Sequence, residues 1–353
     1  MSSSDYESKI HNMKRKRNWG EHMANFSDII GHEDIVKHFK SSIELGKVSH
    51  AYILNGEKGV GKKTLAAVVA KSLQCETGDP DPCGKCRSCL QAESGNQPDI
   101  IWVTHEKASV ISVDEVRTQI VNDIDLKPYS SRYKIYIVPD SQLMNPQAQN
   151  ALLKTLEEPP EYAVIMLLTN NVDKFLPTIL SRCIVLNFRP VEPLDMMDYL
   201  MTNVGVDQEK ARVCTDFAQG NLGKAVRLAI SPDYNEIRED SVRLLRRISD
   251  MDMEDIIHAV KNMGKYQLDI TDYIDIMTMW FRDILMVKIS NSPNKMIFKK
   301  EFSVMKKQAS HTSYEGLEEI LAAMDKLKIR LEANVNFDIA MELMLLTIKE
   351  NIQ

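Results

Sequence analysis

Ile35, Val36, Phe39 and Ile43 fall on one face of a 3.6-residue helix over 34–45, after which the rhythm changes. His50-Ala-Tyr-Ile-Leu-Asn55 is a short, nearly continuous apolar run, the pattern of a strand covered on both faces. The same alternation then repeats. A helix is predicted over Lys63 to Leu73, a strand over Asp99 to Thr104, and a helix carrying Val113, Val116, Ile120 and Val121. Ser112 followed by Glu115 signals a capping box at that helix's start. Next come a strand over Tyr133 to Asp140, a helix from Pro146 to Glu157 stopped by Pro159-Pro160, and strands at Tyr162 to Leu168 and Cys183 to Phe188. Strands alternating with helices predict an α/β fold with a parallel sheet.

Beyond Arg189-Pro-Val-Glu-Pro193 the strand signal fades and only helical periodicity remains, punctuated at Gly220 to Gly223 and Ser231-Pro232. Stripes such as Ile274, Met277, Phe281, Ile284 and Leu285, or Leu317, Ile320, Leu321, Met324 and Leu327, mark amphipathic helices. Periodicity alone does not say whether such stripes bury within one chain or between chains. The expected organisation is a polar, flexible tail over 1–25 with the basic run Lys14-Arg-Lys-Arg17, an α/β domain over 26–190, a small helical domain over 191–235, and an all-α domain over 236–353.

Composition narrows the functional classes. The chain has 353 residues, 44% of them hydrophobic, enough for two or three cored domains. Its formal charge of −6 disfavours a general nucleic-acid coat, although local basic surface can still meet phosphates. Apolar runs such as Ala163 to Leu168 have strand length and are too short to span a bilayer. No secretory signal core is seen, so a reducing cytoplasm is expected, without disulfides.

Two segments carry recognisable chemistry. Gly56-Glu-Lys-Gly-Val-Gly-Lys-Lys-Thr64 lies between strand and helix, the setting of a phosphate loop. Gly56, Gly59, Gly61 and Lys62 supply an amide cradle and its cation. Lys63 stands where a magnesium-ligating hydroxyl is needed, however, and Thr64 is displaced by about 100° around the helix. The strand ending near Asp140 provides a metal-orienting carboxylate, but the next residue, Ser141, is a poor base at neutral pH. Two catalytic positions thus fail independently, which points to a nucleotide-binding fold that does not hydrolyse. ATP or ADP binding is left open by the surviving cradle.

Cys75, Cys83, Cys86 and Cys89 form C-x7-C-x2-C-x2-C, with Gly78, Pro80, Pro82 and Gly84 supplying turns. Four thiolates at this spacing suit a closed tetrahedral, structural Zn2+ site over 75–89. Unligated thiols and an iron–sulfur cluster are the alternatives. Cys183 and Cys214 read as ordinary buried residues.

Taken in order, Ser49-His-Ala-Tyr52, the phosphate loop, the cysteine insertion, Asn150-Ala-Leu-Leu-Lys-Thr-Leu-Glu-Glu-Pro-Pro160 and Leu180-Ser-Arg-Cys183 resemble bacterial DNA polymerase III clamp-loader subunits of the AAA+ class. The resemblance covers about residues 26 to 230. It implies an AAA+ domain with a zinc-knuckle insertion, a helical lid and a collar domain. Partners would be tau/gamma ATPase subunits and a delta subunit in a hetero-oligomeric ring acting on a sliding clamp and primed DNA. It also implies that Arg182 is an arginine finger serving a neighbour's ATP, that Asn170 occupies a γ-phosphate sensor position, and that Gly223 replaces a sensing arginine, with Lys224 beside it. Degeneracy at the loop matches the family's non-hydrolysing member. The alternatives are an active loader ATPase using Lys62, Thr64 and Asp140, and a zinc-dependent nucleic-acid module using Lys85 and Arg87.

Overall fold

The computed structural model describes residues 25–107, 109–290, 292–293, 296–333 and 335–352, so the basic run at 14–17 lies outside the described residues. The described residues fall into two compact units, one within Met1–Tyr199 and Gly220–Lys224, the other within Leu200–Gln219 and Ala225–Gln353.

The first unit is built on five strands, β1 (Ala51–Asn55), β2 (Ile100–Trp102), β3 (Lys134–Val138), β4 (Ala163–Thr169) and β5 (Ile184–Asn187), in the order β2-β3-β4-β1-β5. Every pairing is parallel. Strands β3 and β4 are buried along their whole length, which is why their sequences run apolar without alternation. Helices α1 (Glu33–Glu44) and α2 (Lys62–Gln74) accompany one core layer, containing Phe39, Leu54, Leu65, Val68 and Val164. Helices α4 (Val113–Val116) and α5 (Pro146–Glu157) accompany the other, with Ile53, Val116, Tyr136, Leu152 and Ile165. Between the layers in sequence, α3 (Arg87–Glu93) belongs to the cysteine insertion, and α6 (Pro177–Leu180) and α7 (Pro193–Tyr199) flank β5.

Most predicted elements appear within a residue or two. The capping box forms as expected, with Ser112 N donating to Glu115 Oε2 at 2.6 Å and Glu115 N to Ser112 Oγ at 3.3 Å. The helix it starts then widens into a π-type turn over Arg117–Val121. The expected strand at Asp99 shortens to three residues. Just before it, the carboxylate of buried Asp99 accepts the amides of Tyr129, Ser130 and Ser131 at 2.6 to 3.0 Å.

The second unit is helical: α8 (Gln208–Ala218), α9 (Leu222–Ile230), α10 (Pro232–Arg247), α11 (Met253–Met263), α12 (Ile270–Ser290), α13 (Phe302–His311), α14 (Tyr314–Glu332) and α15 (Phe337–Asn351). The first turn of α9 counts with the first unit. Ile274, Met277, Phe281 and Ile284 of α12, and Leu317, Ile320, Met324 and Leu327 of α14, are all buried within the chain. No helix among the described residues is long and apolar enough to cross a membrane.

Candidate functional site

In a parallel sheet the carboxyl ends of the strands share one edge, and ligands bind in the crevice outside it. Here that edge carries Gly56 after β1, Asp140 after β3 and Asn170 after β4. Gly56 N donates to Thr169 O at 3.1 Å, fixing the start of the phosphate loop to the end of β4.

The loop's carbonyls are met by donors from its own chain. Lys62 Nζ folds back onto Gly56 O and onto Glu57 O, the latter at 2.6 Å. Burial draws the Lys62 ammonium down to about 8, against the pull of Asp140 and Glu57. Asn221 Nδ2 donates to Lys58 O at 2.9 Å, Gly223 N to Gly59 O at 3.0 Å, and His32 Nε2 lies 3.2 Å from Val60 O. Gly59 and Gly223 meet too closely for side chains: a Cβ on Gly223 would stand 2.4 Å from Gly59 O, and one on Gly59 would stand 2.7 Å from Asn221 Oδ1. Any arginine at 223 would therefore need a different backbone. Neither His32 nor Asn221 was expected from the sequence. The available signal for Asn221 was an Asn ahead of a helix, where its Oδ1 accepts from Lys224 N at 3.0 Å.

Lys63 and Asp140 come together, with Nζ 3.9 Å from Oδ2. An ammonium supplies no lone pair to a dication, and this one places a positive charge beside the carboxylate that would orient it. A magnesium ion does not fit this donor set. Thr64 lies further along α2, half-buried. Ser141 is fully buried, and its hydroxyl donates to Leu168 O of β4 at 2.8 Å, so it braces the sheet edge and is closed off from solvent. Asn170 is exposed, its amide 3.4 Å from Gln142 Oε1.

Arg182 follows Ser181, the residue ending α6. Its Nη1 donates to Thr178 O at 2.9 Å and to Ser181 Oγ at 3.1 Å, while Nη2 lies 2.7 Å from Glu157 Oε1 at the end of α5. The Arg182 side chain is about one-third exposed.

The four cysteines converge. Their sulfurs all lie within 4.8 Å of one another, and a tetrahedral site with metal–sulfur bonds of about 2.3 Å needs separations of about 3.8 Å. The cluster can hold a metal ion after small movements. Backbone amides already point at the sulfurs: Cys83 N to Cys75 Sγ at 3.3 Å, Cys86 N to Cys83 Sγ and Cys89 N to Cys86 Sγ at 3.4 Å each. Burial raises the Cys75 thiol, but hydrogen bonds from Cys83 and Thr77 outweigh it and bring it down to about 6. Burial raises Cys183 to about 12, as suits an inert packing residue.

The insertion is tied to the sheet unit by polar contacts at several points. Lys71 of α2, almost fully buried, pairs with Glu93 of α3; Ser72 Oγ donates to Pro80 O; and Lys40 of α1 lies 2.6 Å from Asp81. Gln97 bridges Ser88 Oγ at 2.7 Å and Ser131 Oγ at 3.1 Å.

A parallel sheet whose first strand runs through a phosphate loop into a helix defines a P-loop-type α/β protein. Comparison with known proteins refines that class. A family model described as DNA polymerase III, delta subunit, matches residues 31–192. The chain is 30% identical over 320 residues to DNA polymerase III subunit delta' of Bacillus subtilis, covering 90% of this chain and 95% of that protein. It is 29% identical over 344 residues to DNA polymerase III subunit gamma of Buchnera aphidicola subsp. Schizaphis graminum, covering 91% and 94%. Among solved structures, a DNA polymerase III gamma subunit-related protein from Thermotoga maritima aligns over 90% of this chain and 99% of its own, at 18% identity and a TM-score of 0.45. The chain belongs to the family of DNA polymerase III clamp-loader subunits.

Proposed function

We propose that this chain is a non-hydrolysing subunit of the delta-prime type in a DNA polymerase III clamp loader. The observation that carries the reading is the Lys63–Asp140 pair: an ammonium stands beside the carboxylate that a hydrolase reserves for magnesium. Ser141, committed to Leu168 O, adds a second loss, and the close contact of Gly223 with Gly59 a third. Likeness to gamma subunits is nearly as great as to delta-prime, so overall identity does not separate the two, whereas these residues favour delta-prime.

In this reading the chain works in trans. Arg182 reaches a neighbouring tau or gamma subunit's ATP, where a permanently charged planar fork offsets charge building on the γ-phosphate. Residues 191–235 serve as a lid and 236–353 as a collar joining the tau/gamma and delta partners, and the assembled cytoplasmic complex opens the sliding clamp and places it on primed DNA. The cysteine cluster holds a structural Zn2+, with all four positions filled by sulfur and none left for a reacting water.

The test of the hydrolytic part is phosphate release by the purified isolated chain. No release above background is expected, and Lys62→Ala leaves the trace unchanged. Turnover that disappears in Lys62→Ala would establish the ATPase alternative that uses Lys62, Thr64 and Asp140.

A further inference from the structure

We propose that Glu157 is a positioning residue for the arginine finger, fixing the Arg182 guanidinium before a neighbour's nucleotide arrives. The inference rests on the trans reading of Arg182. Its physical basis is the unusual support given to a side chain that stays partly in solvent.

Arginine has several soft torsions and normally samples many rotamers at a surface. Here three acceptors converge on one guanidinium, two of them local, Thr178 O within α6 and Ser181 Oγ next to Arg182, and one, Glu157 Oε1, from the end of α5. All three distances lie between 2.7 and 3.1 Å. The fork is held, yet the side chain as a whole remains about one-third exposed. An ion pair this open contributes little to folding stability. The placement of Glu157 is also unfavourable by itself. It is the last residue of α5, followed by Glu158 as the cap, so two carboxylates stand at the negative end of a helix dipole against the single cation Lys154 in the last turn. A carboxylate kept there at an electrostatic cost, and bonded to the one cation proposed to act outside the chain, suits preorganisation better than stability. Fixing the finger in advance lowers the cost of ordering it when the neighbour's phosphate arrives, which raises kcat without altering nucleotide affinity.

The experiment is a double-mutant cycle in the reconstituted clamp loader, measuring DNA-stimulated ATP hydrolysis with wild type, Glu157→Ala, Glu157→Asp, Arg182→Ala and the Glu157→Ala/Arg182→Ala pair. Complex assembly is checked by gel filtration. Glu157→Ala is expected to lower kcat at the site this chain serves by about 3- to 10-fold with KM for ATP unchanged, and Glu157→Asp to recover part of it. In the Arg182→Ala background, Glu157→Ala is expected to have no further effect, because its influence passes through the guanidinium. If Arg182→Ala is inert, the trans reading fails. If Arg182→Ala lowers hydrolysis while Glu157→Ala leaves it unchanged or raises it, the positioning role fails alone, a rise meaning that Glu157 restrains the finger. A kcat loss from Glu157→Ala that persists in full without Arg182 also overturns it.

Discussion

On the proposal that the cysteine cluster holds a structural Zn2+, treatment with a chelator, or replacement of Cys86 with Ser, is expected to lower the melting temperature by about 5 to 10 °C and to open the insertion locally. Inside the segment from Cys75 to Glu93 there is little regular structure, and apart from the cysteine cluster it is held by polar ties to the sheet unit through Asp81, Ser88 and Glu93. Its one helix, α3, is seven residues long, too short to persist by its own hydrogen bonds, and much of the remainder consists of turns through Gly78 and Gly84. Structural zinc contributes roughly 10 kcal/mol or more to folding small domains. Only a fraction is felt here, since the parallel sheet has its own core. Opening should nevertheless propagate. Gln97 ties Ser88 of α3 to Ser131, whose amide is held by buried Asp99, so the amides of 129–131 should exchange faster in the metal-free protein. Metal content by mass spectrometry should give one ion per chain, and identical melting with and without it would remove the structural role.

A comparably large effect is expected from Glu93→Ala, a loss of about 2 to 3 kcal/mol in urea unfolding with little change in slope. Lys71 is 2% exposed and Glu93 30% exposed, so truncating the carboxylate removes a charged partner from a buried ammonium at a place water reaches from one side only. The magnitude is set below that of a fully buried pair for that reason. Lys71→Met combined with Glu93→Leu should recover most of the loss, because two apolar groups of similar volume need no mutual neutralisation. A Glu93→Ala protein as stable as wild type would show that the insertion is not anchored through this pair.

Local signals carried much of the fold. Buried parallel strands leave uninterrupted apolar runs, and Pro146, Pro159 and the Ser112–Glu115 pair are punctuation that depends on neighbours in sequence. The four cysteines were likewise legible, because ligand spacing is itself a geometric constraint. What escaped was contact between distant segments. The absence of a hydroxyl at 63 could be read directly, but not that its lysine would meet Asp140. Gly223 read as a missing arginine, while the structure supplies the reason: the backbone of Gly59 occupies the space a Cβ would need. Ser141 read as a weak base and is a buried brace, a difference that depends on Leu168 of β4 being next to it. Glu157 stood inside a recognised motif without a role until the turn after α6 brought Arg182 against it.

The most direct test of the central claim is ATP hydrolysis by the reconstituted, DNA-stimulated complex carrying either Lys62→Ala or Arg182→Ala in this chain alone. The account predicts that Lys62→Ala hydrolyses as wild type does, while Arg182→Ala loses the turnover of the one site it faces, where fingers of this kind supply about 10³-fold or more. Loss of hydrolysis with Lys62→Ala and none with Arg182→Ala would contradict it.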